Sequence, residues 1–202
     1  EQGTPQATVI NNKAGKFADL IVNEASKAYH VPMKNVRRSV LFVRDPGYFV
    51  MIDKIEAINS QHKYTWRLYL NNRDDSGEIK DITQNHWFFS RPLANLDIYL
   101  FSDQKLSTQI GQGYMHGPVR DYSPGGINEG KTGSSIKLEA FNPEKIQSVI
   151  YYSVLIPWQK ENTAPSVDFM NNKIHVGKDI FTFWEGECII EKENQTEKYK
   201  LW

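Results

Sequence analysis

Apolar residues along this 202-residue chain recur mainly at every second position or in short continuous runs. Both patterns indicate β-strands, because successive side chains of a strand point to opposite faces of a sheet. The clearest case is segment 62–70, where large apolar side chains alternate with polar ones. Strand patterns also occupy segments 17–22, 36–43, 48–52, 86–89, 97–101, 134–140, 149–156, 180–183 and 189–190.

Two stretches interrupt these patterns in different ways. Arg44, Asp45, Pro46 and Gly47 predict a tight turn, because proline fixes φ and glycine accepts a positive φ. We therefore expect a hairpin at this point, followed by a meander through the strands up to residue 101. Between residues 111 and 133 glycine and proline are too frequent for a regular ladder, which predicts a long loop.

The strand count and the lack of helical periodicity set the fold class. About twelve short strands with no long amphipathic helix predict an all-β fold. We expect a two-layer antiparallel β-sandwich, similar to a supersandwich, with little helix. The chain has no internal repeat, so residues 1–202 are expected to form a single domain. Because it begins without methionine and runs directly into strand-like sequence, we also expect a fragment of a larger protein.

Composition excludes several classes of partner. The 24 basic and 24 acidic residues give a net charge of zero, so we expect neither nucleic acid nor a membrane as a partner. The chain also has no apolar run long enough for a membrane helix. Cys188 is the only cysteine, so an intramolecular disulfide is impossible.

The motifs of common enzyme classes are absent from the sequence. It contains no nucleophile elbow, phosphate-binding glycine loop, zincin helix or paired CxxC cysteines. The five histidines are scattered, and none has the spacing of a metal site. We therefore predict no metal and no cofactor in this chain.

The segment from Gly111 to Gly130 is the strongest candidate for chemistry. It brings Tyr114, His116, Arg120 and Tyr122 close together in sequence. Tyrosine and histidine can act as base and acid in β-elimination on uronic-acid sugars. Loops that fold back on a sandwich also use glycine and proline for geometry and aromatic residues for anchorage, and we favour that role.

Exposed tryptophan rings could stack on sugars, but for Trp87, Trp158 and Trp184 a core or interface role is favoured. No catalytic residue is assigned. The candidates for carbohydrate contact are Tyr114, His116, Arg120, Tyr122, Trp87 and Trp158.

Segment 29–53 carries a resemblance to a known family. It contains an arginine-rich strand around Arg37 and Arg38, then the strand from Tyr48 to Asp53, and His62-Lys63-Tyr64 follows. In this order the motifs resemble those of the carboxy-terminal β-sandwich of heparinase II/III-like polysaccharide lyases. The remainder of the chain is similar only as compatible β-rich sequence.

The resemblance implies a parent protein with an amino-terminal α/α toroid as the partner domain of this chain. Such lyases cleave acidic polysaccharides by β-elimination in a cleft between toroid and sandwich, and a periplasmic or secreted location is implied. Their metal motifs do not occur in this sequence, so no catalytic residue, metal or cofactor is carried over. We expect the chain to be inactive by itself.

Three hypotheses follow. The first is a non-catalytic module of such a lyase, which should leave an apolar patch where the toroid docks. The second is a stand-alone carbohydrate-binding module, which should show a row of exposed aromatic rings. The third is a small lyase that acts through the loop alone, and it ranks last because catalytic groups need rigid supports.

Overall fold

The computed structural model describes residues 7–72, 74–114 and 134–202. These residues form strands and one short 3-10 turn, Ser26–Ala28, so the all-β prediction is confirmed. No helix in these ranges has the length and apolarity needed to span a membrane. The strands are β1 Thr8–Ala14, β2 Ala18–Glu24, β3 Met33–Val43, β4 Tyr48–Ala57, β5 Thr65–Asn71, β6 Glu78–Thr83, β7 His86–Ser90, β8 Ala94–Ser102, β9 Ser107–Tyr114, β10 Ser134–Phe141, β11 Ser148–Gln159, β12 Val167–Met170, β13 Lys173–Val176, β14 Asp179–Trp184, β15 Glu187–Lys192 and β16 Gln195–Lys200.

The strands of the described ranges assemble into three antiparallel sheets. The largest has eight strands in the order β1-β2-β3-β4-β11-β8-β7-β6. A three-stranded sheet has the order β5-β10-β9, and a five-stranded sheet runs from β12 to β16 in chain order.

The two smaller sheets cover opposite faces of the eight-stranded sheet. On β11, Tyr152 and Val154 belong to the core shared with the five-stranded sheet, whereas Val149 and Tyr151 belong to the core shared with the three-stranded sheet. Odd and even residues of one strand point to opposite faces. The sandwich therefore has three sheets, whereas the sequence pattern predicted two layers. A continuous apolar run indicates that both faces of a strand are buried, but it does not show how many sheets cover those faces.

Each interface has its own apolar core. Between the eight- and five-stranded sheets, Ile52 packs in one cluster with Phe181 and Tyr199. Between the eight- and three-stranded sheets, Trp66 and Trp87 are the largest buried side chains of the other cluster. Burial of each such side chain contributes about 1.5–3 kcal/mol, which makes both interfaces substantial.

The predicted hairpin is confirmed, and the predicted meander is wrong. Val43 lies opposite Tyr48 at the end of the β3–β4 pair, and Gly47 has a φ of 105°. After β4 the chain leaves the large sheet, and β5 joins the three-stranded one. β11 lies beside β4 instead, a long-range pairing that local alternation does not reveal.

The predicted loop begins later than residue 111. Gly111 and Gly113 lie in β9 and pair with Lys137 and Ser135 of β10. Glycine is tolerated there because β9 is an edge strand. At Gly113 the Tyr69 ring comes so close that a Cβ on residue 113 would lie 3.0 Å from it. The rest of the predicted loop, residues 115–133, lies outside the described residues.

Candidate functional site

Most of the loop candidates cannot be placed. Tyr114 is the last residue of β9, where its backbone pairs with Ser134 of β10. His116, Arg120 and Tyr122 lie outside the described residues. Their contact with carbohydrate therefore stays a prediction.

Trp87 is part of the core and presents no ring face for a sugar. Its relative exposure is 1%, and it packs in the cluster between the eight- and three-stranded sheets. Alternation along β7 points Trp87 and Phe89 to this covered face and His86 and Phe88 to the other one. The core role that the sequence analysis favoured for Trp87 is therefore confirmed, and Trp87 is not available as a carbohydrate contact.

Trp158 lies on the opposite face of the sheet from Trp87 and is only partly buried. Its indole Nε1 donates a hydrogen bond of 2.6 Å to Oδ2 of Asp97 on β8. The other oxygen of this buried carboxylate, Oδ1, lies 2.5 Å from Nε2 of His86 on β7. One carboxylate on β8 thus fixes the orientation of two ring side chains from the strands on either side of it, β7 and β11.

Further rings extend this arrangement. The His86 ring stacks on Tyr99, with centroids 4.1 Å apart and an interplanar angle of 9°. Phe88 lies beside Trp158, with centroids 6.0 Å apart. We call these four partly exposed side chains, His86, Phe88, Tyr99 and Trp158, the aromatic face.

Polar groups border the aromatic face. Asn95 lies opposite Trp158 on β8, and Lys80 lies opposite Phe88 on the edge strand β6. Asn95 is buried, and its Oδ1 has no hydrogen-bond partner among the described residues. Burial, together with the charges of Asp97 and Asp168, raises the pKa of Tyr99 to about 12, so the phenol remains neutral at physiological pH.

A second concave feature, the arginine cleft, lies where β5 meets β3 and β4. It encloses about 280 Å³ and is lined in part by Tyr29, Arg38, Asp53, Trp66, Arg67 and Tyr151. Two carboxylates neutralise two of the three arginines that line it, Arg38 and Arg67, and the third is Arg37. Asp53 accepts from Arg38 Nε at 2.6 Å and Nη2 at 3.0 Å, and Glu139 accepts from Arg67 Nε at 2.5 Å. The cleft is therefore polar without a large excess of positive charge.

The electrostatics of the two carboxylates differ. Burial raises the pKa of Asp53, and its bonds to Arg38 offset only part of that rise. Glu139 accepts bonds from Arg67, Gln109 and Lys137, which together lower its pKa to about 2. Both pairs are suited to holding strands in register rather than to moving protons near neutral pH.

A third, larger cleft of about 860 Å³ lies between the β3–β4 hairpin and the five-stranded sheet. Its wall contains Asp179, whose Oδ2 accepts from the Tyr48 hydroxyl at 2.6 Å and from Lys192 Nζ at 3.0 Å. Burial raises the pKa of Tyr48 strongly, and the bond to Asp179 raises it further. These groups satisfy one another, which is typical of a structural tie between two sheets.

No group of three or more His, Cys, Asp or Glu side chains in ranges 7–72, 74–114 and 134–202 is arranged to hold a metal ion. Sequence reasoning did find Trp158, but it missed His86, Phe88, Asp97 and Tyr99. The alternation of His86 with Phe88, and of Asp97 with Tyr99, could have placed them on one face. Their proximity to Trp158 depends on the pairing of β8 with β11, which the sequence does not reveal.

Comparisons with known proteins give matches by fold only. No family model and no curated protein sequence matches the chain. A heparinase III gene product matches with a TM-score of 0.66 and 23% identity over 99% of this chain. Another heparinase III matches with a TM-score of 0.64 and 16% identity over 96%. Heparan sulfate lyase HepC from Pedobacter heparinus matches with a TM-score of 0.58 and 16% identity over 96%.

The chain spans only 27–28% of the length of these structures. Almost all of it therefore has the fold of one part of a heparinase-type chain. This confirms, at the level of the fold, the β-sandwich that the resemblance predicted.

Proposed function

We propose that this chain is the β-sandwich module of a heparinase II/III-like polysaccharide lyase and that it does not cleave polysaccharide by itself. The observation that carries the proposal is the fold match, which takes in 96–99% of this chain but only 27–28% of each lyase. The arginine-rich β3 and the following β4 support it independently, because they carry the motifs that resemble this family.

A second support is an apolar strip on the eight-stranded sheet that neither smaller sheet fully covers. Val40 lies between Ile21 and Met51 across three strands, and in the next row Phe42 lies opposite Phe49. Ile21 and Phe42 are 48% and 36% exposed, and the two phenylalanine rings lie 4.9 Å apart. Contiguous apolar surface of this kind is typical of docking surfaces, so we propose that another domain of the lyase covers it.

The experiment compares this chain with the full product of the gene that encodes it. Each is incubated with heparan sulfate, alginate or hyaluronan, and the ultraviolet absorbance of the unsaturated uronate product is followed. We expect no change with the chain alone and a rise with the full product on at least one substrate. A full product that is inactive on all three would overturn the proposal.

Activity of the chain alone would contradict its non-catalytic role. In that case Tyr114→Phe and His116→Gln variants would test the loop. A periplasmic or secreted location belongs to the same proposal and is supported by the resemblance alone. Fractionation of the native host with an antibody checks it, and a purely cytoplasmic signal would contradict it.

The alternative function is a stand-alone carbohydrate-binding module. The aromatic face favours it, because partly exposed rings on one face of a sheet can stack on sugar rings. Acidic polysaccharide is the proposed substrate class of the lyase. Binding by the isolated chain, together with a gene product that has no lyase activity, would favour this alternative.

A further inference from the structure

We propose that the aromatic face is a binding site for a pyranose ring. The aromatic face would supply the contact residues of the carbohydrate-binding alternative. The same face can equally be an auxiliary site on a lyase module. The site is built from three adjacent strands, β7, β8 and β11, which a packed core supports from behind. Sites on such rigid elements hold their geometry better than sites on loops.

The first argument is the way the rings are held. Asp97 is buried, and its two oxygens are used by Trp158 Nε1 and His86 Nε2. Both of those side chains remain partly exposed. A buried carboxylate is costly to desolvate, and here it orients two partly exposed rings, of which Trp158 packs against the edge of the core between the eight- and five-stranded sheets. Pre-oriented rings lose little conformational entropy when a ligand stacks on them.

The second argument is the polar rim. Asn95 Oδ1 is a buried acceptor without a partner among the described residues, and it belongs to the residue directly opposite Trp158. Buried amide oxygens are rarely left unsatisfied. The neutral Tyr99 phenol can donate or accept. Apolar ring faces beside acceptor and donor groups suit a pyranose, which has apolar C–H faces and hydroxyl groups at its edge.

The third argument concerns charge. Lys80 Nζ lies 3.6 Å from Glu78 Oε2 at the edge of the aromatic face. On the same face, the negative charges of Asp97 and Asp168 contribute to raising the pKa of Tyr99. Carboxylates outnumber Lys80 around the rings, and Lys80 is itself paired with Glu78, so the face does not favour an acidic sugar and recognition depends on the sugar ring. Neutral and uronate glycans share that ring, and the experiment separates them.

The experiment measures the affinity of the chain for two probes by isothermal titration calorimetry, a cello-oligosaccharide and an oligosaccharide of alginate. Trp158→Ala should weaken binding about tenfold or more, as expected when one stacking ring is lost. Trp184→Ala is the matched control, because this tryptophan is 67% exposed on β14, outside the aromatic face. It should bind as the unmodified chain does.

Phe88→Ala is a second variant that leaves both bonds of Asp97 in place, and it should also weaken binding. Circular dichroism shows whether each variant is folded. The proposal would be overturned if the unmodified chain bound neither probe. It would also be overturned if Trp158→Ala and Trp184→Ala bound a probe with equal affinity. Neither result affects the lyase proposal, which depends on the activity of the full gene product.

Discussion

Arg38 and Asp53 lie directly opposite each other on β3 and β4 and form a two-point ion pair, with distances of 2.6 and 3.0 Å. Asp53 is 6% exposed, whereas half of the Arg38 side chain faces solvent. The arginine therefore compensates a buried carboxylate from the surface.

Arg38→Met should lower the free energy of unfolding by about 2 kcal/mol at neutral pH, because it leaves the Asp53 carboxylate uncompensated. Burial already raises the pKa of Asp53, and loss of Arg38 raises it further. The loss of stability should therefore shrink as the pH falls below about 4, where Asp53 is also protonated in the unfolded chain. Urea denaturation at both pH values measures this.

Lys198→Met is the control for that variant. Lys198 pairs with Glu187 at 2.8 Å, but both side chains are well exposed. Its loss should change stability by less than about 1 kcal/mol at either pH. If Arg38→Met and Lys198→Met lost similar amounts of stability, the burial of the Asp53 carboxylate would not explain the effect of Arg38→Met.

Glu139 should make the stability of the chain depend on acidic pH. Its pKa of about 2 in the folded state lies below the usual value of 4.5, so its contribution is full above pH 4.5 and is lost as the pH falls towards 2. Glu139→Gln should make the free energy of unfolding depend less steeply on pH in this interval, because the number of protons taken up on unfolding falls by up to roughly one. Urea denaturation across the acidic range checks this, and an unchanged slope would show that Glu139 is not responsible.

Tyr48→Phe should weaken the tie between the β3–β4 hairpin and the five-stranded sheet. The hydroxyl is buried and donates to Asp179, so its loss should cost about 1–2 kcal/mol. Lys192→Met should cost more, because it removes the cation beside the Asp179 carboxylate and a donor to the carbonyl of Asp45. Thermal or urea denaturation ranks the two, and the reverse order would contradict this account.

Two glycines should respond in opposite ways to alanine. At Gly15 a Cβ would lie 2.7 Å from the carbonyl oxygen of Ala18 and against the hydroxyl of Tyr199, so Gly15→Ala should destabilise by about 2 kcal/mol. At Gly111 the nearest atom is Lys137 Cε at 4.0 Å, so Gly111→Ala should be neutral or slightly stabilising. Equal melting temperatures for the two variants would contradict this prediction and show that the β1–β2 turn can shift enough to accommodate the added Cβ.

The sequence predicted local structure better than it predicted architecture. Proline and glycine at Pro46 and Gly47 identified the hairpin, because turn chemistry acts between neighbours in the chain. The separation of β5 from β4, and the meeting of Trp158 with Asp97, depend on residues far apart in sequence. The same limit explains Trp87, whose burial follows from which face of β7 the three-stranded sheet covers.

The position of β11 has a consequence for synthesis. Residues 148–159 fill the gap between β4 and β8, so the eight-stranded sheet cannot close until they have left the ribosome. Before then β1–β4 and β6–β8 are separate half-sheets, and each exposes an unpaired inner edge lined with apolar residues. Such edges template association between chains. Nascent chains that stop before residue 148 should therefore aggregate, and chaperones that bind extended apolar strands should associate with this protein until residues 148–159 have emerged.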